Sequence, residues 1–226
     1  MYHIYVTTLQ RLPSRFVTRR LRNSRAPLLR PTYSNILEQA VRVMNEDGFD
    51  RFNVQRVLDM AEVSRATLYR HFQDVDGLIE AALIETFRLE LDRFLNFATD
   101  LVRQAPDLAA FRESVRTLTR AFGEVPSAFR LHRTHTIALS ATRPGLAAGV
   151  ATVQEMLTDG WNNTIIEAQR RGFVRADLDA RAAAVMMQGM ALGRIVDDAA
   201  ASRISNESWA QIFFDFIDRA VLVNPK

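Results

Sequence analysis

The 226-residue sequence contains no cysteine, which excludes a disulfide scaffold, a thiolate zinc site and a cysteine nucleophile. Glycine and proline number only nine and seven, so the chain is neither collagen-like nor of low complexity. No apolar run approaches the ~18 residues that a membrane-spanning helix needs. Hydrophobic residues make up 48% of the chain, enough to build a packed core. We therefore expect a soluble globular protein, and the lack of cysteine is compatible with a reducing, intracellular compartment.

Acidic residues are absent from residues 1–31, which carry seven arginines. Residues 1–74 hold 12 arginines and seven acids, whereas residues 75–226 hold 17 basic residues and 19 acids. A basic end on a mildly acidic body predicts a region that meets a polyanion. Three interpretations of residues 1–31 stay open. They are a flexible basic arm that binds DNA, a transit peptide, which is also Arg-rich and poor in acids, and a translated stretch upstream of the true start.

Apolar residues recur at helical spacing almost everywhere from Thr32 onward, and the sequence shows neither an alternating strand pattern nor an internal repeat. We therefore predict an all-α fold. Caps, prolines and glycines predict where the helices start and end. They give a first helix from Thr32 or Ser34 to Gly48, short helices capped by Asn53 and Ser64, a long helix from Asp74 to about Arg103, and further helices at about 107–122, 126–140, 145–171, 178–202 and 205–223.

Two short predicted helices between Asn53 and Phe72 carry the pattern that is most informative about function. Small or apolar side chains must meet where these helices cross, and the residues that supply the contact are Val57, Leu58, Ala61, Val63, Leu68 and Phe72. The outer face of the second helix then carries Arg65, Ala66, Thr67, Tyr69, Arg70 and His71. These side chains include many groups that bond phosphates or base edges, and a helix fits the DNA major groove, which is ~12 Å wide.

Three motifs carry a resemblance to a known family: Ile36-Leu37-x-x-Ala40, Glu46-Asp47-Gly48-Phe49, and Ala61-x-Val63-Ser64-x-x-Thr67-Leu68-Tyr69-Arg70-His71-Phe72 followed by Leu78. With these motifs the sequence resembles the TetR family of bacterial transcriptional regulators. The resemblance implies a three-helix helix-turn-helix domain over 32–73, followed by a helical effector-binding and dimerisation domain over 74–226. It also implies a homodimeric regulator of the bacterial cytoplasm and nucleoid, most often a repressor relieved by a small apolar molecule.

The resemblance further implies which residues contact DNA. Thr67, Tyr69 and His71 match positions that hold the DNA backbone in such regulators. Arg65 and Ala66 match base-reading positions, and this agrees with the ability of Arg to bond guanine and of Ala to touch a thymine methyl group. The expected DNA-binding residues are Tyr33, Asn53, Gln55, Arg56, Ser64, Arg65, Ala66, Thr67, Tyr69, Arg70 and His71.

Two positions depart from the family's pattern. The turn ahead of Val63 normally contains glycine, whereas this chain has Glu62. If the position requires a positive φ, a residue other than glycine there costs on the order of 1 kcal/mol. The family also places a basic residue ahead of the segment that corresponds to 76–78, where this chain has Val75. We therefore expect one phosphate contact of the family to be missing.

The C-terminal helices contain candidates for an effector pocket and for a dimer interface. Pockets of this kind are largely apolar with a few polar groups, and the candidate lining residues are Phe87, Leu91, His132, His135, Met156, Trp161, Ile165, Met186, Met187 and Met190. Small residues beside an aromatic stripe suit contact between helices of two subunits, and the candidates are Ala182, Gly189, Gly193, Trp209, Phe213 and Phe216. A helix pair buried within one chain is the alternative to the dimer interface.

One rival function from a different class stays open. His132 and His135 lie three residues apart on a predicted helix, and two imidazoles with a carboxylate such as Asp197 or Asp198 can bind zinc. That arrangement would suit an all-helical metal-dependent enzyme. The sequence shows neither an HExxH-type motif nor a catalytic triad nor a Gly-rich phosphate loop, so we expect neither an enzyme nor a cofactor.

Overall fold

The computed structural model describes residues 31–48 and 51–223. Apart from its last position, the predicted basic arm over 1–31 lies outside the described residues, as does Phe49. The described part is helical, without strands, apart from one isolated antiparallel bridge between Val174 and Leu222, so the predicted all-α class is confirmed. None of the helices in that part is long and apolar enough to cross a membrane. The chain divides into two compact units, with the division between Thr86 and Phe87.

Within the described residues, the first unit contains three helices and the first turns of a fourth. They are α1 (Pro31–Asp47), α2 (Val54–Ala61), α3 (Arg65–Phe72) and α4 (Val75–Gln104), which continues past the division. Apolar side chains spaced at one helical turn form its core, because such spacing gathers them on one face. The members of this core with no exposed surface are Ile36, Ala40, Val43, Val57, Leu68, Leu78, Ala82 and Leu83.

The predicted caps explain where most of these helices begin. The Asn53 side chain accepts hydrogen bonds from the backbone N–H groups of Gln55 and Arg56, and Asp74 Oδ1 accepts one from Gly77 N at 2.7 Å. These bonds satisfy donors that a helix start leaves open. The predicted cap of the first helix by Thr32 or Ser34 is wrong, because α1 already begins at Pro31. Proline suits a first helical position, where its missing N–H costs nothing.

The second unit consists of the rest of α4 and six further helices within the described residues. These are α5 (Leu108–Glu124), α6 (Ser127–Ser140), α7 (Pro144–Arg170), α8 (Ala180–Gly193), α9 (Ile195–Asp198) and α10 (Asn206–Ala220). α5 packs against α10, and α7 packs against both α6 and α8. Aromatic rings fill the space between α5, α7 and α10, where Phe122 lies 6.3 Å from Trp161 and 5.8 Å from Phe213 between ring centroids.

The predicted single helix over 178–202 is wrong, since the structure has two helices there that meet at Arg194. Arg194 is only 6% exposed. Its guanidinium donates to the backbone oxygen of Gly123 and, at 2.5 Å, to Asn206 Oδ1. The bonds of this buried arginine fix the turn between α8 and α9 to the ends of α5 and α10.

Candidate functional site

Of the six apolar residues that the sequence predicts for the crossing of α2 and α3, five are buried and Val63 is half-buried. Val57 and Leu68 have no exposed surface, and Leu58, Ala61 and Phe72 are also buried. The side-chain amide of Asn35 in α1 donates to the backbone oxygen of Ala61 at 3.0 Å, which ties α1 to the end of α2. α3 is therefore held on its inner side by packing, and its outer side stays accessible.

The outer side of α3 carries the side chains that the sequence predicts for DNA contact. Arg65, Ala66 and Arg70 are exposed, and 42% of Tyr69 is exposed. Thr67 and His71 are half-buried at the edges of this face. α3 itself contains no acidic residue. The face therefore offers guanidinium and hydroxyl donors on a rigid helix, as contact with phosphates or base edges requires.

Two of the predicted DNA-binding residues form helix caps in this structure. Ser64 Oγ accepts a hydrogen bond from Thr67 N at 3.2 Å and lies 3.1 Å from Thr67 Oγ1. Asn53 Oδ1 accepts from the N–H groups at the start of α2, at 2.9 and 3.2 Å. Their side-chain oxygens are therefore engaged in starting α3 and α2.

Arg56 is engaged in ion pairs with the C-terminal end of α1. Its Nη1 donates to Asp47 Oδ2 at 2.6 Å, and its Nη2 donates to Glu46 Oε2. These hydrogen bonds raise the pKa of Arg56 above its ordinary value, with Asp47 as the main cause. The hydrogen bond from Arg42 is the main cause that lowers the pKa of Glu46. Burial opposes it, and the hydrogen bond from Arg56 lowers the pKa further. The neighbouring Gln55 side chain donates to Asp59 Oδ1 at 2.9 Å.

Tyr33 lies in α1 against the end of α3. Its ring stacks on Phe72 at 4.5 Å between centroids and meets the His71 ring edge-on at 6.3 Å. Burial, and to a smaller extent the charge of Glu85, raises the pKa of the Tyr33 hydroxyl. Tyr33 therefore stays a neutral donor at physiological pH and packs partly into the first unit, next to a residue of the candidate DNA-binding face.

The turns on both sides of α3 contain non-glycine residues at positive φ. Glu62 ends α2 in the left-handed conformation, at φ 54° and ψ 44°, so the positive φ considered for this position is present. Gln73 follows α3 at φ 68° and ψ −53°, where Asp74 N donates to Phe72 O at 2.8 Å. That is a γ-turn of the rare, strained type, which the sequence pattern gave no reason to expect. Gly77 completes this junction, since a Cβ there would lie 2.1 Å from Phe72 O.

The second unit contains a cavity with about 590 Å³ of space, part of it open to solvent. Apolar and aromatic side chains form most of its wall, and Arg130, Arg133 and Gln188 add polar groups. Three of the residues named from the sequence, Leu91, Trp161 and Met187, line it. Its composition, mainly apolar with a few polar groups, is that of a small-molecule site.

Seven other pocket candidates are not among the described lining residues of this cavity. Met156 and Met186 are 50% and 56% exposed, so their side chains face away from the interior of the unit. Phe87 is fully buried, and Ile165 lines a smaller neighbouring cavity of about 410 Å³. The remaining three candidates are His132, His135 and Met190. Helical spacing alone does not distinguish residues that line a cavity from those that fill the core around it.

The polar residues of the cavity were missed at the sequence level. Arg130 and Arg133 are 5% and 8% exposed and lie three residues apart in α6. Their spacing places both on the face of α6 that also carries the fully buried Thr136. Charged residues usually lie on the exposed face of a helix, and they are rarely buried without a partner. Polar side chains repeated along one face of α6 are therefore the sequence pattern from which these cavity residues could have been predicted.

The dimer candidates divide into surface and core residues. Ala182, Gly189 and Gly193 in α8 are exposed, and Phe216 in α10 is 39% exposed. Trp209 is half-buried. Phe213 is only 1% exposed and packs edge-on against Trp209 at 4.9 Å, so its assignment to a surface contact is wrong. The largest exposed apolar side chains of α8, α9 and α10 are Val185, Met186, Val196, Ile212 and Phe216.

The side chains proposed for a metal site have other partners. Arg130 holds Asp198 through two hydrogen bonds, at 2.6 and 2.7 Å, and this contact lowers the pKa of Asp198. Asp197 Oδ1 accepts from Ile204 N at 3.1 Å. In the part of the chain that the structure describes, no three His, Cys, Asp or Glu side chains are grouped to hold a metal ion.

The comparison with known families matches the segment that contains α2 and α3. A family model described as bacterial regulatory proteins of the tetR family matches residues 36–82. Those residues span most of α1, all of α2 and α3, and the start of α4. The match therefore coincides with the helices that position the candidate DNA-binding face.

Individual proteins are similar over most of the chain. The HTH-type transcriptional regulator UidR of Escherichia coli K12 is 24% identical over 188 residues, which are 80% of this chain and 88% of UidR. Salmonella enterica GusR has a similar fold, with a TM-score of 0.58 and 22% identity over 87% of this chain and 97% of its own. A protein from Saccharomonospora viridis in complex with choline gives a TM-score of 0.60 and 17% identity, covering 85% of this chain and 98% of its own. With the helix-turn-helix geometry, these similarities relate residues 36–82 to the tetR family of bacterial regulatory proteins, and they relate most of the chain to a transcriptional regulator in sequence and to GusR in fold.

Proposed function

We propose that the protein is a homodimeric repressor that binds a near-palindromic operator through α3 and leaves it when a small molecule binds in the second unit. The observation that carries this proposal is the outer face of α3, where Arg65, Tyr69 and Arg70 are exposed while Leu68 and Phe72 are buried. A helix braced in this way can enter the major groove without rearranging the unit. We place this activity on chromosomal DNA in the bacterial cytoplasm.

The positions along α3 suggest separate roles for its side chains. Arg65 and Ala66 stand at the N-terminal end, which reads base edges in helix-turn-helix proteins. Thr67, Tyr69 and Arg70 offer hydroxyl and guanidinium donors that suit phosphate oxygens. His71 extends this set toward the edge of the face, next to Tyr33. We assign base reading to the first turn and backbone contact to the remaining residues.

We assign Asn53 and Ser64 an indirect part in DNA binding. Each caps a helix start, and the N–H groups and dipole of a helix N-terminus favour a phosphate. Arg56 braces α2 against α1 through Glu46 and Asp47. Its two Nη atoms would have to leave both carboxylates before contacting DNA, so a bracing role explains its contacts better than direct contact. Gln55, on the neighbouring exposed position, is the candidate for a groove contact from α2.

The surface of α8, α9 and α10 supports a dimer. Val185 and Met186 in α8 and Ile212 and Phe216 in α10 expose large apolar side chains, and such patches mark interaction sites. Gly189 in α8 has open space where a Cβ would stand, which allows another helix to approach closely. Two copies related by a two-fold axis would present two α3 helices to half-sites about one turn of DNA apart, ~34 Å.

The cavity of the second unit supports regulation by a small molecule. Its wall is mainly apolar, with Leu91, Leu157, Trp161 and Met187 among the lining residues, and this agrees with an effector that is apolar over most of its surface. The similar protein from Saccharomonospora viridis was solved with choline, which supports small-molecule binding in this fold. An effector that binds more tightly to a state unfit for the operator would shift the population away from DNA.

Selection from random duplex DNA tests the proposed function. The full chain is incubated with a library of random duplexes, and the bound sequences are recovered and amplified over several rounds. We expect enrichment of a near-palindromic site whose half-site centres lie about one helical turn apart. Light scattering on the same protein should give the mass of a dimer. Failure to enrich any duplex, or a monomer bound at a single half-site, would contradict the proposal.

A further inference from the structure

Two cavities of the second unit lie next to each other and share part of their walls. The first is the larger cavity described above, and the second is its smaller neighbour, which Ile165 lines. Trp161 of α7 and Met187 of α8 line both cavities. They are only 4% and 8% exposed, so both side chains lie in the interior of the unit. These two side chains therefore form a partition between the cavities.

The two cavities differ in the polar groups of their walls. The first has Arg130 and Gln188 beside its apolar side chains. The described lining of the second contains no charged residue, and the hydroxyl of its Thr164 donates to the backbone oxygen of Gly160 at 2.9 Å. A polar ligand group placed in the second cavity would lose its hydrogen bonds to water without replacement, which is costly. The second cavity therefore suits hydrocarbon, and the polar part of a ligand belongs in the first.

Trp161 is the fixed side of the partition. Its ring stacks with Phe122 at 6.3 Å between centroids. The Phe122 ring in turn lies 4.0 Å from Phe94 and 5.8 Å from Phe213. Rotation of the indole would break into this cluster of aromatic rings, whose contacts stabilise the unit. We therefore expect the indole to keep its position when a ligand binds.

Met187 is the side of the partition that can move. Its side chain is unbranched and has three rotatable bonds, so it adapts to irregular spaces. Its neighbours on the same face of α8, three residues before it and four residues after it, are Ala184 and Ala191. Another rotamer of Met187 therefore meets no bulky side chain of its own helix on that face. When the side chain swings away, it leaves a passage as wide as one unbranched chain.

We propose that the effector has one unbranched alkyl chain and one polar end, and that Met187 is the gate through which the chain enters the second cavity. This inference rests on the proposed effector site and names the chemical class that the site takes. The polar end stays in the first cavity, beside Arg130 and Gln188. The expected small apolar effector is thereby narrowed to a linear one, because a ring or a branched body is wider than the side chain that it would replace.

A series of straight-chain alcohols tests the length of the site on the unaltered full chain. Hexan-1-ol, octan-1-ol and decan-1-ol share one hydroxyl group and differ only in the number of methylene groups. Calorimetry is done in the absence of DNA and below the solubility limit of each alcohol. The affinity should rise about fourfold for each added methylene group throughout the series, as full burial of that group provides. A gain that stops at octan-1-ol, or binding of none of the alcohols, would overturn the inference.

Filling the second cavity should weaken the binding of the long alcohol alone. Ala168 of α7 is only 1% exposed and lines the second cavity, but it is not among the described lining residues of the first. Ala168→Leu adds an isopropyl group there. The affinity for decan-1-ol should fall about tenfold, because the end of its chain loses its site, whereas hexan-1-ol should bind as before. An equal loss for both alcohols, or no loss for either, would contradict the placement of the chain.

The chain offers a matched control and a replacement for this variant. Ala151→Leu makes the same change at an exposed position of α7 and should leave the affinities for both alcohols unchanged. If Ala168→Leu does not fold, Val115→Leu enlarges a side chain in the α5 wall of the same cavity. It should likewise lower the affinity for decan-1-ol and leave that for hexan-1-ol as it is.

Two substitutions of Met187 distinguish a gate from an immobile wall residue. Met187→Ala removes the side chain that must move, so it should raise the ratio of the affinity for decan-1-ol to that for hexan-1-ol. Met187→Ile keeps a large side chain but restricts it, since a β-branched side chain has one strongly preferred rotamer in a helix. That variant should lower the same ratio. A ratio that changes in the same direction in both variants, or in neither, would contradict the gate.

Operator binding by the same preparations separates this inference from the proposed function. If the alcohols bind as expected but no duplex is bound, the regulatory function fails while the ligand class stands. If the operator is bound but Ala168→Leu leaves the affinity for decan-1-ol unchanged, the ligand class fails while the regulator remains.

Discussion

Arg65 and Arg70 of the first unit are exposed on α3, whereas Arg130 and Arg194 of the second unit are only 5% and 6% exposed. The exposed pair meets no acidic residue within α3, and the buried pair is held by Asp198, by Asn206 and by backbone oxygens. The same side chain therefore has two uses in one molecule. An arginine exposed on a packed helix can bind a polyanion outside the protein. A buried arginine instead holds other parts of the second unit together through its hydrogen bonds.

Of the variants that compare buried with exposed arginines, Asp198→Asn should have the largest effect on the free energy of unfolding. The substitution leaves Arg130 buried without its countercharge, and breaking such a pair costs ~3–5 kcal/mol of unfolding free energy. The control Asp218→Asn breaks the half-exposed pair with Arg112 and should cost at most about 1 kcal/mol. Urea unfolding at one fixed protein concentration measures both. Equal costs for the two variants would mean that burial does not distinguish the two classes of arginine.

The same pair predicts a dependence on pH. Because Arg130 lowers the pKa of Asp198, the carboxylate stabilises the folded state above its unfolded pKa of about 3.9. This stabilisation is lost as the pH falls through the lower pKa of the folded state. The difference in unfolding free energy between the unaltered chain and Asp198→Asn should therefore be largest near neutral pH and shrink on acidification below about pH 4. A difference that does not change with pH would contradict the assignment.

A smaller effect is expected from Arg65→Ala on α3. If Arg65 reads a base, its loss should cost ~1–3 kcal/mol of binding free energy and relax the preference at one operator position. Repeating the selection from random duplexes with the variant measures this change, and fluorescence anisotropy on the selected site gives the affinity. An unchanged sequence preference would remove base reading from Arg65 and leave it, at most, a phosphate contact.

Glu62→Gly should stabilise the folded protein, raising the free energy of unfolding by about 1 kcal/mol. Glu62 is held at φ 54°, and glycine adopts this conformation without the steric cost that a side chain brings. Urea unfolding should show a more stable protein. Gly77→Ala is the control with the reverse sign. Its Cβ would lie 2.1 Å from Phe72 O, so this variant should have a lower free energy of unfolding. No gain in Glu62→Gly would show that the turn stores no strain at this position.

The smallest effect concerns Arg56 and Arg70 on the DNA-binding unit. Arg70→Gln should reduce the slope of log affinity against log salt concentration by about 0.9, the contribution of one phosphate contact. Arg56→Gln should leave the slope unchanged, because Arg56 is committed to Glu46 and Asp47. Salt titrations of duplex binding compare the two variants. A reduced slope in Arg56→Gln would show that it leaves its carboxylates to contact DNA.

The sequence was sufficient for the all-α class and for α2 and α3, because capping and periodicity are local. Asn53 and Ser64 start α2 and α3 as predicted, and Leu68 and Phe72 point inward. The break at Arg194 could not be predicted in this way. It depends on bonds to Gly123 and Asn206, which are distant along the chain.

The candidate site was predictable in part for the same reason. The outward face of α3 follows from the position of its two apolar residues, so the exposure of Arg65 and Tyr69 could be expected. The partners of Arg56 could not, because an ion pair between α1 and α2 depends on how these helices meet. In the second unit, the exposed Met156 and the cavity-lining Met187 show that residue type does not indicate which methionines line a cavity.

The most direct test is the affinity of the full chain for its selected operator duplex, compared with two double variants. We expect Arg65→Ala/Arg70→Ala, which removes two charges from the outer face of α3, to lose most of the affinity at moderate salt. Arg120→Ala/Arg170→Ala removes two exposed charges from the second unit and should bind as the unaltered chain does. Unchanged affinity in the α3 variant would contradict the claim that this face binds DNA.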